Sequence, residues 1–196
     1  MGRHQRQIDS NLQRSKLDVY STFLHPNGKT VYSGDRGGDI REWTIADGKF
    51  QRKFQGGEVL LTNNTQGVRY GGVRGLAVSP DNKYLAACGL HKATNPRGAV
   101  NEPIALLFDM KTNKKVRSQP GSGIKGIGWQ LSWLNDGSLA VASGGSGGGY
   151  LLFWRPDRTR SSTGSSCPIR HAIWTCIPTV CNWPRCTMIA MCGSTS

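Results

Sequence analysis

Apolar and polar positions alternate with period two through most of the chain, and the runs are short. In the run V-Y-S-T-F-L, positions such as Val19, Ser21 and Phe23 share one side, which is the pattern of a strand with one buried face. A turn follows at Pro26-Asn27-Gly28, and the same grammar returns at Pro80-Asp81-Asn82 and Asn135-Asp136-Gly137. Proline presets φ, and Asn, Asp or Gly tolerates the positive φ that a tight hairpin needs. A second apolar strand comes next, over residues 30–33, 84–88 and 139–143. A glycine-rich turn then leads to a third strand that ends in an aromatic residue, Trp43, Phe108 or Trp154. A fourth strand follows twice, over residues 49–54 and 114–117. Helical periodicity is scarce, so the expected class is all-β, built as a meander of hairpins.

The three units are copies of one pattern. They occupy residues 19–43, then 73–89 resuming at 104–115, then 127–145 resuming at 150–154. With the turns H-P-N-G and S-P-D-N, D-I-R-E-W at 39–43, L-F-D at 107–109 and L-F-W at 152–154, this stretch resembles the WD40 repeat family of β-propellers. The resemblance covers residues 19–157. It implies a propeller fragment of about three intact blades plus a disrupted fourth, acting as a non-catalytic scaffold for other proteins. The Gly-His dipeptide of that family is missing, and its Trp-Asp pair is reduced to Phe108-Asp109. Asp35 and Asp39 are the two candidates to hold the turn before the third strand without them. Three blades cannot close a ring, because closed propellers have about four to eight. The chain is therefore expected to be marginally stable or poorly soluble alone, or to self-associate over its open strand edges.

The turn residue recurs at 27, 81 and 136, intervals of 54 and 55 where about 40–45 is usual. Two insertions account for the excess, at residues 56–72 and 90–103. Long loops on a rigid β scaffold are common sites of function. The candidate contact residues are accordingly Arg69, Tyr70, His91 and Arg97, with a protein as partner.

Charge adds a second reading. Lys and Arg total 25 against 12 Asp and Glu, a formal +13. Nucleic acid binding is the alternative function this raises, but the charges are scattered and form no basic arm. No apolar run reaches the ~18 residues of a membrane span, and the polar residues 1–16 contain no apolar leader. A cytoplasmic protein without membrane contact is expected. The sequence lacks G-x-S-x-G, H-E-x-x-H and G-x-x-x-x-G-K-[ST] motifs. No enzyme activity, cofactor or metal is expected. His25 lies in a turn and reads as structural, Cys88 as a small buried hydrophobe, and the glycine-rich run 143–149 as a hairpin. Trp129 and Trp133 are four apart in a strand, which points to core packing rather than a stacking platform.

After Asp157 the periodicity stops. Residues 158–196 contain no acid and no lysine, and hold Cys167, Cys176, Cys181, Cys186 and Cys192 at intervals that do not suit zinc, while nothing marks the chain as secreted, as a disulfide framework would require. The segment resembles a coding region read out of frame. Joining the last base of each codon to the next two forces Asp at Trp174-Thr175, Leu at Asn182-Trp183, Ala at Trp183-Pro184, Asp at Met188-Ile189 and Val at Met191-Cys192. Cys181-Asn182 allows only Gln or a stop. The remaining freedom admits a further blade whose turn lies near codon 179, about 43 codons after Asp136, a normal repeat length. The expected organisation is an N-terminal segment 1–18, the repeat region 19–157, and an out-of-frame tail 158–196. A defective gene product without function is the third reading.

Overall fold

The structure, a computed structural model, describes residues 17–63, 68–95, 100–145 and 148–156. Arg97, the tail 158–196 with its five cysteines, and residues 1–16 of the N-terminal segment lie outside the described residues. Blade 1 is the antiparallel sheet β1 (Val19–Leu24), β2 (Thr30–Asp35), β3 (Asp39–Thr44) and β4 (Phe50–Gln55), in chain order. A single 3-10 turn at Gly57–Val59 leads to a separate hairpin, β5 (Leu60–Asn63) and β6 (Val68–Gly71). Blade 2 is β7 (Gly75–Val78), β8 (Tyr84–Asn95), β9 (Val100–Asp109) and β10 (Lys115–Pro120). Blade 3 contains β11 (Ile127–Trp133), β12 (Leu139–Gly145) and β13 (Gly148–Trp154). Among the first strands of the blades, β7 neighbours both β1 and β11. The described residues contain no α-helix, and the ring is not closed.

The three β1/β2-type turns are built alike. Gly28, Asn82 and Gly137 take φ of 66°, 57° and 77°, and their amides donate to the carbonyls of His25, Ser79 and Leu134. Asn27, Asp81 and Asp136 each accept a backbone N–H two residues on. The hydrogen bonds from Ser79 and Ser138, in turn, hold the Asp81 and Asp136 carboxyls below the usual range. His25 is structural: its Nδ1 accepts the Asn27 amide and its Nε2 lies 2.8 Å from Asn82 Oδ1, which ties two blades together.

The core lies between blades. Leu85, Ala87, Leu106 and Phe108 pack toward blade 1 against Tyr32, Ile40 and Phe54. Their neighbours Ala86, Cys88, Ala105 and Leu107 pack toward blade 3 against Leu131, Leu139, Val141, Leu152 and Trp154. Blade 2 is thus sandwiched, so β8 and β9 read as near-continuous apolar runs while the outer blades alternate. Cys88 is fully buried, and burial pushes its thiol pKa up.

The two insertions depart from the expected loops. In the first, β5 and β6 pair from Leu60↔Gly71 to Asn63↔Val68, and in the second β8 and β9 are prolonged through the pairs Leu90↔Pro103 and His91↔Glu102. Leu90, Ala93, Ile127, Leu61 and Tyr70 form a small cluster of their own. Apolar side chains on both segments bury one another, so each insertion orders the other.

Candidate interaction site at one end of the blades

In β1, Val19 pairs with Asp35 and Ser21 with Gly34, which leaves Tyr20 as an extra residue. In β11, Gly128 pairs with Ser143 and Gln130 with Ala142, which leaves Trp129 extra. Tyr20, Arg74 and Trp129 each lie five residues before the turn residue His25, Ser79 or Leu134. They therefore occupy the same position in three successive blades. A β-bulge takes a residue out of the ladder and re-aims its side chain. Tyr20 is 39% exposed and Trp129 48% exposed. The half-buried Arg74 guanidinium stands 4.2 Å from the Tyr20 ring centroid and 5.6 Å from that of Trp129. This is cation–π distance to both rings. Arg74 Nη2 donates to Gly71 O at 3.2 Å, and Trp129 Nε1 donates to Gly144 O at 3.2 Å, so backbone positions two of the three side chains. Gly72, at φ 107°, lets Tyr20 lie over the chain: a Cβ there would come within 2.7 Å of the ring.

Core packing was the expectation for Trp129 and Trp133. Trp133 does pack against the blade 2–blade 3 cluster and donates to Ala77 O. Trp129 does not, because the bulge between Gly128 and Gln130 shifts the alternation and turns it outward.

The antiparallel topology puts both insertions at the same end as this ridge, since β6 leads into Arg74 and β8 ends where β7 begins. Of the candidates read from sequence, Arg69 is exposed on β6. Tyr70 is half-buried in the small cluster with Leu90 and Ala93, so part of its surface serves packing. His91 Nε2 lies 3.4 Å from Glu102 Oε2, off the line of a hydrogen bond, and Lys92 Nζ reaches the same carboxylate oxygen at 3.1 Å. Burial lowers the His91 pKa, and the pull of Glu102 in the other direction is smaller. The structure brings Arg69, Tyr70 and His91 to one end and adds Tyr20, Arg74 and Trp129. Aligning the three units on their turns stacks these last three residues in one column, a signal available in the sequence.

Asp35 holds the turn after β2. Its Oδ1 accepts the amides of Gly37 and Asp39 at 2.9 and 3.0 Å, and Oδ2 pairs with Arg41 at 2.8 Å. Trp43 Nε1 donates to Ser33 Oγ at 2.8 Å. At the register of Asp35 the other blades have Gly89 and Ser143, so this carboxylate clamp is confined to blade 1. Among the described residues no group of three or more His, Cys, Asp or Glu is arranged to hold a metal, and no helix is long and apolar enough to cross a membrane.

A family model described as WD domain, G-beta repeat, matches residues 63–92, which run from the β5–β6 hairpin through the first two strands of blade 2. No curated protein sequence matches the chain. The solved β-propeller domain of Cps50 (Swd1) from Myceliophteria thermophila is similar in fold, with a TM-score of 0.50 at 16% identity over 74% of this chain. The likeness spans 38% of that domain's chain. Residues 63–92 thus match the WD40 repeat family, and the chain is built as a β-propeller, three blades of an unclosed ring among the described residues.

Proposed function

We propose that the chain is a protein-interaction scaffold whose contact surface is the Tyr20–Arg74–Trp129 ridge, flanked by Arg69 and His91 on the paired hairpins. The observation that carries this reading is the column itself: one position in three consecutive blades bears Tyr, Arg and Trp, and in blades 1 and 3 a bulge takes that residue out of the ladder. These residue types dominate the energetics of protein interfaces, because they offer large contact area at little cost in side-chain entropy. The fold supports the same reading, since WD40 propellers are mostly binding platforms, although fold alone does not set function.

The test is site-specific photo-crosslinking. A crosslinker at position 129 is expected to capture polypeptides, and Arg74→Ala is expected to abolish the capture. A crosslinker at Asp81, on the opposite end of blade 2, is expected to capture none of them. Equal capture at both ends overturns the proposal.

Nucleic-acid binding is a second reading, favoured by the +13 charge and by an arginine between two aromatic rings, the elements of a base-stacking platform. Fluorescence anisotropy with an arbitrary single-stranded oligonucleotide separates the two. A steep loss of affinity with salt, removed by Trp129→Ala, supports nucleic acid. No binding leaves the protein scaffold.

A further inference from the structure

The internal junctions of this molecule show what its two open faces are made to meet. At both junctions a trailing face, which looks back at the preceding blade, presents large apolar side chains. In blade 2 these include Val78, Leu85 and Phe108, and in blade 3 Leu139, Leu152 and Trp154. The leading face of blade 2 is small on its first two strands, with Ala77, Ala86 and Cys88, and carries Ala105 and Leu107 on its third. By register, the trailing face of blade 1 consists of Leu24, Val31, Ser33, Arg41 and Trp43. The leading face of blade 3 consists of Ser132, Ala140, Ala142, Leu151 and Phe153. The first again ends in an aromatic on its third strand, and the second again has small residues on its first two strands.

Neither face is packed against another blade among the described residues: Leu24 is 61% exposed and Ser132 is exposed, while Ala142, Leu151 and Phe153 are half-buried and Ala140 is buried. The side chains on the two faces add no local charge repulsion to the overall repulsion between two basic chains. The leading face of blade 3 bears no charged side chain at these positions. On the trailing face of blade 1, Arg41 is already ion-paired with Asp35 and Asp39, at 2.8 and 3.2 Å.

We propose that the occupant of both faces is a second copy of this chain, packed head to tail. Blade 3 of each copy meets blade 1 of the other, so two identical junctions close a ring of six blades. Three blades cannot close, while six lies within the range of closed propellers. A heterologous contact made twice about a two-fold axis closes without leaving an open end. The contact geometry follows from the junction already present. Trp133 of blade 3 reaches the Ala77 carbonyl of blade 2 at 3.3 Å. The corresponding positions at the new junction are Leu24 of one copy and Ser132 of the other.

The test uses the full chain. Sedimentation is expected to show a concentration-dependent dimer that strengthens with salt, because screening reduces the repulsion between two +13 chains. A photo-crosslinking residue at position 24 of an isotope-labelled copy is expected to form adducts near position 132 of an unlabelled one. Leu24→Glu and Ser132→Arg each place a charge at an exposed site, so the fold is retained, as circular dichroism checks. Each is expected to weaken the dimer at least about tenfold by burying an unpaired charge. Val116→Glu, on the outer strand of blade 2, is expected to leave it unchanged. A strict monomer overturns the proposal. So do adducts from position 24 to residues 158–196 of the same copy, adducts to outer strands, or association indifferent to both charge variants.

Discussion

Truncating Phe108 to alanine tests whether the junction between blades 1 and 2 carries the stability of the molecule. Phe108 is fully buried and meets Phe54 edge-on, with centroids 5.7 Å apart and ring planes at 64°. Leu85 lies beside it in the same sheet, and Gly56 approaches its ring tip. Removing a buried phenylalanine ring costs about 3–5 kcal/mol when the site cannot collapse. Collapse is hindered here because both walls are hydrogen-bonded sheets. An aromatic pair contributes about 0.5–1.5 kcal/mol beyond its buried area, so a double-mutant cycle with Phe54→Ala should return a coupling near that size. Against a typical domain stability of about 5–15 kcal/mol, the single change removes a large fraction. Urea unfolding followed by tryptophan fluorescence, at one protein concentration for all variants, reads the loss as a lower midpoint at unchanged slope. Val116→Ala, at a half-exposed position on β10, is the control and should stay within about 0.5 kcal/mol. If Phe108→Ala loses no more than the control, the ring is not packed and the account of the junction fails.

Other outcomes follow from single sites. Asp35→Ala leaves two backbone amides without their acceptor and removes the closer carboxylate from Arg41, a loss of about 3–5 kcal/mol for a buried pair broken on one side, read as a lower melting temperature. Gly71→Ala forces φ of 136° on a residue with a Cβ, which would sit 1.9 Å from Val59 O; amide exchange should show the β5–β6 hairpin released while blade 3 stays protected. The His91 pKa is held below the ordinary 6.5 by burial, so the unfolded chain binds more protons over that interval. The stability that the neutral ring contributes is present above 6.5 and is lost as pH falls toward the lowered value, and exchange of residues 88–93 should quicken there but not in His91→Gln. The nucleotide sequence over codons 150–196 should encode, in the shifted frame, a strand–turn–strand ending in D-x-x-V-R. A shifted frame crowded with stop codons ends that account of the tail.

The strands and turns were legible because their chemistry is local. Pro26, Asn27 and Gly28 specify a turn without reference to the rest of the molecule, and the unbroken apolar run from Leu85 to Cys88 reads as a strand with Cys88 buried. Asp35 was legible as one of two turn-holding carboxylates because only a short side chain reaches the amides two and four residues on. The insertions were not legible as hairpins, since what orders them is mutual contact between Leu61, Tyr70, Leu90 and Ala93, from segments about 20–30 residues apart. Trp129 was misplaced for a different reason. Strict alternation assigns it to the face of Trp133, and one inserted residue in the ladder is enough to reverse that assignment.

The bulge has a consequence for how such a chain changes over time. Because the extra residue contributes no rung to the sheet, its identity is decoupled from folding, and Tyr20 and Trp129 could be exchanged without disturbing the pairs on either side. Blades 1 and 3 thus each offer one socket whose side chain is free to drift while the frame beneath it stays constant. A library randomised at positions 20 and 129 would vary recognition on an unaltered scaffold.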